Sequence, residues 1–419
     1  CAGPLSTDGD LRGNIPRRLE RIPGKGRRTV YSGVSVALAI SFVLSVQACS
    51  KKATETGWKA EVEVVDGVKT VRNPETPKHG TFAFDLAEDL TIGSESEDAY
   101  FFPSFVVIAV DGEGRICVVD NGNDRVQVFD ERGRYVRTLG GVGQGPGEYR
   151  FPSGVMADAV GDIIVNDSAR FLIHYSPEGL FQKRITLKTS LSVPLLGPGG
   201  TIVGTAPLSP RAEGGPKNKL IQLGPDGEVL RTLAEYPACG VVQNLVIRHW
   251  YTCQVSACLR SADSLYYGFD QDYTVHVVDT AGRALFAFMK AERPAPISAE
   301  ERALTRKEGI FFWEGFGKGD PDQTDLGMPG HRPFWSNFLS DDLGRLYIVR
   351  FRPVTEKAIK TSDIDVFSKD GYYLYRMTWP FLPQVIKNGF LYEIRQDEAT
   401  GLTKIIRHRI RNWADIKSE

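Results

Sequence analysis

VQVFDERGRYVRTL, residues 126–139, is two runs of alternating apolar residues on either side of a polar turn that contains one glycine, Gly133. The pattern returns as IHYSPEGLFQKRI (173–185), IQLGPDGEVLRTL (221–233), VHVVDTAGRALFAF (275–288) and IDVFSKDGYYLYRM (364–377). Period-two alternation marks a half-buried strand, and a glycine at a constant turn position supplies a left-handed backbone, so each stretch predicts one β-hairpin. A hairpin repeated along one long chain predicts an array of like units.

The hairpin glycines Gly133, Gly179, Gly227, Gly282 and Gly371 are 46, 48, 55 and 89 residues apart. That spacing fits one four-stranded antiparallel unit per repeat, with a large insertion before the last glycine. In the first unit, strands are predicted over 105–111, 115–120, 125–130 and 134–139. Asp120 and Asp167 each fall six residues after a corner glycine, Gly114 and Gly161, and Arg350 falls six after Gly344. The last unit, with strands over 388–394 and 402–410, ends without a fourth strand, which the alternating run Thr81–Leu86 is expected to supply. The expectation is therefore an all-β chain: a six-bladed β-propeller of four-stranded antiparallel blades over residues 80–419, its ring closed by an N-terminal strand in the last blade. Seven blades is the alternative count. The insertion, about residues 293–333, predicts a helix over 298–308, with Ser298 and Glu301 as a capping box and Gly309 as its stop.

Residues 1–48 carry seven Lys or Arg against three acidic residues and lead into the largely apolar run Val34–Val46. This run is too short to cross a bilayer as a helix, and the basic flank before it predicts an export signal. Residues 1–29 read either as a misplaced gene start or as an extended basic region. The ending Val46-Gln47-Ala48-Cys49 resembles the lipobox of bacterial lipoproteins, which implies a lipidated Cys49. Ser50 at the next position implies the outer membrane, on its periplasmic or cell-surface side. Residues 49–79 are expected to be the lipidated cysteine and a flexible tether. Without residues 1–48 the chain has 51 − 7 = 44 basic and 52 − 3 = 49 acidic side chains, a net charge of −5, which argues against a nucleic-acid partner. Of the remaining cysteines, Cys117 sits in an apolar strand, and Cys239 is expected to pair with Cys253 or Cys258.

The loop Asp120-Asn121-Gly122-Asn123-Asp124-Arg125 followed by Gly140-Gly141-Val142-Gly143-Gln144-Gly145-Pro146-Gly147-Glu148-Tyr149 resembles the NHL-repeat family of six-bladed propellers over about residues 104–187. Residues 326–349 are similar to later blades of related bacterial lipoproteins. The resemblance implies a ligand site at the mouth of the central channel, where the loops between second and third strands gather. It places Asp120, Asn121 and Arg125 there from blade one, Asn166, Asp167 and Arg170 from blade two, Asp270 from blade four, and Arg350 and Arg352 from blade five.

Arginine forks at such a rim suit an anionic or carbohydrate-like ligand. Arg125 and Arg170 have aspartates beside them in the repeat and are expected to pair with them, whereas Arg350 and Arg352 lack a local Asp and are expected to be freer. NHL-like propellers include metal-dependent lyases and lactonases. None of the histidines lies in a loop between second and third strands, and His249 and His331 are the two that merit a test for a site. The acidic stretch Asp320–Asp325 is expected to be solvated, and Phe311-Phe312-Trp313 to pack the insertion against the propeller side.

The functional expectation is a monomeric lipid-anchored propeller that binds an envelope protein, peptide or glycan at its channel face, without catalysis or a cofactor. The alternative is a metal-dependent extracytoplasmic lyase or hydrolase using calcium or zinc.

Overall fold

The computed structural model describes residues 57–103, 106–158, 160–197, 200–206, 215–242, 245–314 and 325–419. Cys49, the signal region and most of the acidic stretch Asp320–Asp325 lie outside the described residues.

Six four-stranded antiparallel blades follow one another along the chain. Blade one is Val106–Val110, Ile116–Asp120, Arg125–Phe129 and Tyr135–Leu139, and blade two is Pro152–Ala157, Ile163–Asp167, Phe171–Tyr175 and Phe181–Thr186. Blade three runs from Ser192 to Pro237, blade four from Val255 to Lys290, and blade five from Trp335 to Trp379. Blade six takes Pro383–Lys387, Phe390–Gln396 and Thr403–Ile410 from the C-terminal end and Leu86–Ile92 from the N-terminal end.

Middle strands are apolar on both faces because each blade is covered by a neighbour on either side. Ile116 and Val118 pack toward blade six, while Cys117 and Val119 pack toward blade two. Between blades four and five, Tyr266, Phe288, Trp335, Phe338, Phe367 and Tyr373 form one aromatic layer.

All five hairpin glycines have positive φ, from 73° at Gly282 to 86° at Gly371. The turns carry a further device. At Asp111 one carboxylate oxygen accepts the N–H groups of Glu113 and Arg115, both at 2.9 Å, and the other accepts Arg115 Nε at 2.6 Å. The same three bonds recur at Asp130 with Arg134, Asp279 with Arg283, and Asp341 with Arg345. An aspartate four residues before an arginine thus closes the turn through side-chain bonds to its backbone donors.

Closure uses Leu86–Ile92, later in the chain than the predicted Thr81–Leu86. Phe82 and Phe84 explain the shift: their rings serve the core between blades five and six, with Phe84 stacked on Trp379 at 5.9 Å and Phe82 against Tyr375 at 5.1 Å. Thr81 makes a single bridge to Arg376 on blade five.

The tether expectation is also corrected in part. Glu61–Val65 and Val68–Asn73 form a hairpin around Asp66-Gly67, both at positive φ, and the second strand pairs in parallel with Ala284–Lys290 at the outer edge of blade four. Residues 57–92 therefore strap the outer strands of blades four, five and six. Among the described residues, no helix is long and apolar enough to cross a membrane.

Candidate functional site

In blades one, two and five the last residue of the second strand faces the first residue of the blade: Asp120 opposite Val106, Asp167 opposite Pro152, and Arg350 opposite Trp335. The side chain at that position turns toward the preceding blade, as do Ile116 and Val118 in blade one and Leu346 and Ile348 in blade five. What it meets there differs from blade to blade.

In blades one and two the rim residues other than Arg170 are committed to internal bonds, and among the described residues Arg170 lacks the aspartate partner expected of it. Asp120 is fully buried and accepts Asn123 Nδ2 at 2.7 Å and Arg125 Nε at 3.0 Å, and Arg125 also pairs with Asp98. Asn121 donates to the Pro152 carbonyl at 2.8 Å, joining blade one to blade two. Asp167, also fully buried, accepts the N–H groups of Arg150 and Phe151 and so fixes the entry to its own first strand. Asn166 donates to Ser153 Oγ. Arg170 is exposed, and no described carboxylate pairs with it. These six residues frame the ring, and none lines the cavity described next.

That cavity, about 740 Å³, opens between blades three, four and five and is bordered by the residues preceding blade four. Asp270, Arg350 and Arg352 line it. Asp270 is 1% exposed and accepts the Gln254 N–H at 3.0 Å and Gln271 Nε2 at 3.3 Å. Burial pushes its carboxyl up to about 8 against these two bonds, so it is held protonated at neutral pH.

Arg350 does not have the freedom expected of it. It bonds Glu292 with both Nη atoms, at 2.8 and 2.5 Å, and Asp365 at 2.9 Å. Lys290 and the hydroxyls of Tyr273 and Tyr373 reach the same buried Asp365. Burial opposes the Asp365 charge, but Lys290 and Arg350 outweigh it and hold the carboxyl well below the usual range. The partners of Arg350 come from the segment just past the last strand of blade four and from the third strand of blade five, so no local sequence pattern announces them. Arg352 donates to the Ile359 carbonyl, and its own carbonyl accepts the Trp250 indole N–H at 2.7 Å.

The insertion is larger than its sequence limits and differently placed. Val241–Val242, Leu245–His249 and Ile310–Glu314 make a three-stranded sheet, so segments on both sides of blade four contribute to it. The helix Ala299–Glu308 has the expected capping box, and Gly309 caps its end. Its Glu301 is buried beneath Arg332 at 2.9 and 2.8 Å and accepts the Tyr251 hydroxyl. Burial works against that carboxylate, but the Arg332, Tyr251 and Ser298 bonds hold it down at about 2. Tyr251, Ile297 and Val354 form a core of their own with Trp250, Leu304, Met328 and Phe351. The insertion therefore seats on the mouth loop of blade five, and Arg248, Trp250 and Thr252 line the cavity.

His249 is structural: its Nε2 donates to the Leu326 carbonyl at 3.0 Å, its Nδ1 accepts the Tyr251 N–H at 3.1 Å, and burial pulls its pKa down to about 4. His331 holds the Arg332 carbonyl, and His174 and His276 sit in third strands with depressed pKa values from burial. A disulfide joins Cys239 to Cys253, Cα atoms 5.5 Å apart, at the foot of the insertion, and leaves Cys258 and Cys117 as thiols that burial pushes up to about 12. Among the described residues no group of three His, Cys, Asp or Glu side chains is arranged to hold a metal ion.

Sequence reasoning missed Arg248, which lies outside the hairpin repeat, and the pair His408–Glu393 on blade six. His408 Nε2 bonds Glu393 at 2.9 Å beside Arg395, in a second, more open cleft that shares Lys360 and Leu382 with the first. Glu393, opposite Pro383, stands where Asp120, Asp167 and Arg350 stand in their blades, a register that could have found it.

A family model described as a 6-bladed β-propeller (DUF5128) matches residues 106–197. These are blades one and two, the stretch with the most regular repeat, and the first strand of blade three. No curated protein matches the sequence. Among solved structures, a Bacteroides fragilis protein inferred to be exported is similar over 81% of this chain and 100% of its own, at 13% identity and a TM-score of 0.49. A DUF4221 protein from Bacteroides vulgatus is similar over 78% and 98%, at 11% identity and a TM-score of 0.45. Catalytically inactive virginiamycin B lyase from Staphylococcus aureus is similar over 83% and 99%, at 10% identity and a TM-score of 0.38. At these identities and TM-scores the likenesses assign no function to this chain.

Proposed function

We propose that this protein is an extracytoplasmic, lipid-anchored binding propeller that takes a ligand from the cell envelope into the cavity at its channel mouth and does not transform it. The observation that carries this reading is the cavity itself, whose polar lining is held in place before any ligand arrives. Gln254 Nε2 is tied to the Ser336 carbonyl at 2.7 Å, Trp250 to the Arg352 carbonyl, and Arg350 to two carboxylates. A pre-organised lining reduces the ordering cost of binding. The Cys239–Cys253 disulfide favours an oxidising compartment, and the export signal and lipobox-like Cys49 supply a route and an anchor.

The test fills the cavity. Ser336 is exposed on its wall, and Ser336→Trp would occupy the space with little demand on the core. Ligand captured from native envelope by the wild type is expected to be lost in this variant. Equal capture by both proteins would remove the channel mouth as the site.

A further inference from the structure

The charge of the cavity lining is one-sided. Arg248, Arg350, Arg352 and Lys360 line it, against one carboxyl group, Asp270. Arg350 is neutralised by Glu292 and Asp365, and Lys360 shares its charge at 3.2 Å with Glu398, where both are well exposed. Arg248 and Arg352 have no carboxylate partner among the described residues. The Trp250 indole bond to the Arg352 carbonyl ties the strand end that carries Arg248 to the segment that carries Arg352. Arg248, exposed, and Arg352, half-buried and already donating to the Ile359 carbonyl, thus bring two guanidinium groups to the wall of one cavity, and such forks suit an anion. Burial holds Asp270 uncharged at neutral pH, so it does not oppose them.

The remainder of the wall is neutral and hydrogen-bonding. Thr205 and Asn218 come from blade three, Gln254 from the position just before blade four, Ser256 from blade four, and Ser336 and Asn337 from blade five, interleaved with apolar Leu195, Leu220 and Val255. Isolated hydroxyl and amide groups converging from three blades match a ligand that carries hydroxyls in several directions. A peptide bound by strand addition would need one continuous unpaired edge instead. A volume of about 740 Å³ is of the size that encloses a small ligand or a short oligosaccharide segment.

We propose that the cavity recognises an anionic oligosaccharide, its acidic group held between Arg248 and Arg352 and its hydroxyls by the side chains of blades three to five. This rests on the channel mouth being the binding site. A uronate carboxylate and a sulfate both match the guanidinium forks.

Calorimetric titration of the full-length protein with trigalacturonate, a sulfated oligosaccharide of the same length and uncharged maltotriose tests it. One or both anionic sugars are expected to bind, maltotriose far more weakly, and the charged sugar that binds identifies the source of the anion. Arg248→Ala and Arg352→Ala, both on the surface of the cavity, are each expected to weaken that binding roughly tenfold, about the worth of a charge-assisted bond. Affinity should also fall as salt is raised. Equal binding of maltotriose, or anionic-sugar binding unchanged in both arginine variants, overturns the assignment of charge. Absence of any sugar binding, with envelope capture still abolished by Ser336→Trp, overturns the saccharide but leaves the cavity as the site. Absence of any sugar binding together with envelope capture unchanged by Ser336→Trp, or sugar binding that survives Ser336→Trp, overturns the site as well.

Discussion

Asp270 stores strain in the form of a displaced proton equilibrium. Its carboxyl titrates at about 8 in the fold, against an ordinary value of 3.8. Below about 4 both folded and unfolded chains hold the proton. Between about 4 and 8 only the folded chain does, so stability falls as pH rises through that window, by up to about 1.4 kcal/mol per pH unit. Asp270→Asn is expected to flatten the decline and to raise the melting temperature at pH 8 more than at pH 5, read by thermal unfolding at both pH values. The turn aspartates offer a graded contrast. Arg345 is completely buried, bonded to Asp341 at 2.6 Å and to the Ile416 carbonyl, so Asp341→Ala would leave a charge without its partner at a cost of about 3–5 kcal/mol. Asp130→Ala frees an Arg134 whose side chain is 71% exposed, and the same measurement should register about 1 kcal/mol, mostly from lost turn bonds. Denaturant midpoints of the two variants compare them directly. The same contrast explains why the role of Arg350 was not legible in sequence: its carboxylates, Glu292 and Asp365, stand 58 and 15 residues away.

At the scale of elements, the hairpin turns and the N-terminal strap hold neighbouring blades together. Gly371 has φ 86°, and a Cβ there would lie 2.8 Å from Phe288 of blade four, so this glycine serves both its own turn and the packing between blades. Gly371→Ala is expected to destabilise by about 1–3 kcal/mol, from left-handed strain together with overpacking, and chemical denaturation would show it. Asn73 couples the strap to the same turn, donating to the Gly371 carbonyl at 2.8 Å and accepting the Tyr373 N–H at 2.9 Å. The strap hairpin was legible in principle, since Asp66-Gly67 between Val64 and Val68 is a strong short-range turn signal. The small sheet of the insertion was not, because its strands lie on opposite sides of a whole blade and a sequence pattern carries no record of that pairing.

For the whole molecule, the ring depends on its ends meeting. Leu86–Ile92 completes blade six, so a chain shortened to begin at residue 93 should lose cooperative unfolding as well as stability, because an open blade edge and the core surfaces that Ile92 and Phe84 had covered are exposed together. Cys49→Ser in the full-length protein is expected to move it from the membrane to the soluble fraction of the envelope, and continued membrane association would remove the lipid anchor from the proposal. By itself the sequence determined the repeat, the strands of blade one and the turn glycines, because alternation and positive φ are properties of consecutive residues. It also determined the level at which Asp120, Asp167 and Arg350 lie, because register within a repeat is local. Only the tertiary structure decided which of those side chains face a cavity and which are spent on neighbouring blades, that Arg248 joins Arg352 at the mouth, and that Cys239 pairs with Cys253. Those outcomes depend on contacts between residues far apart in the chain, whose free energies are set by burial and by partners that no local pattern names.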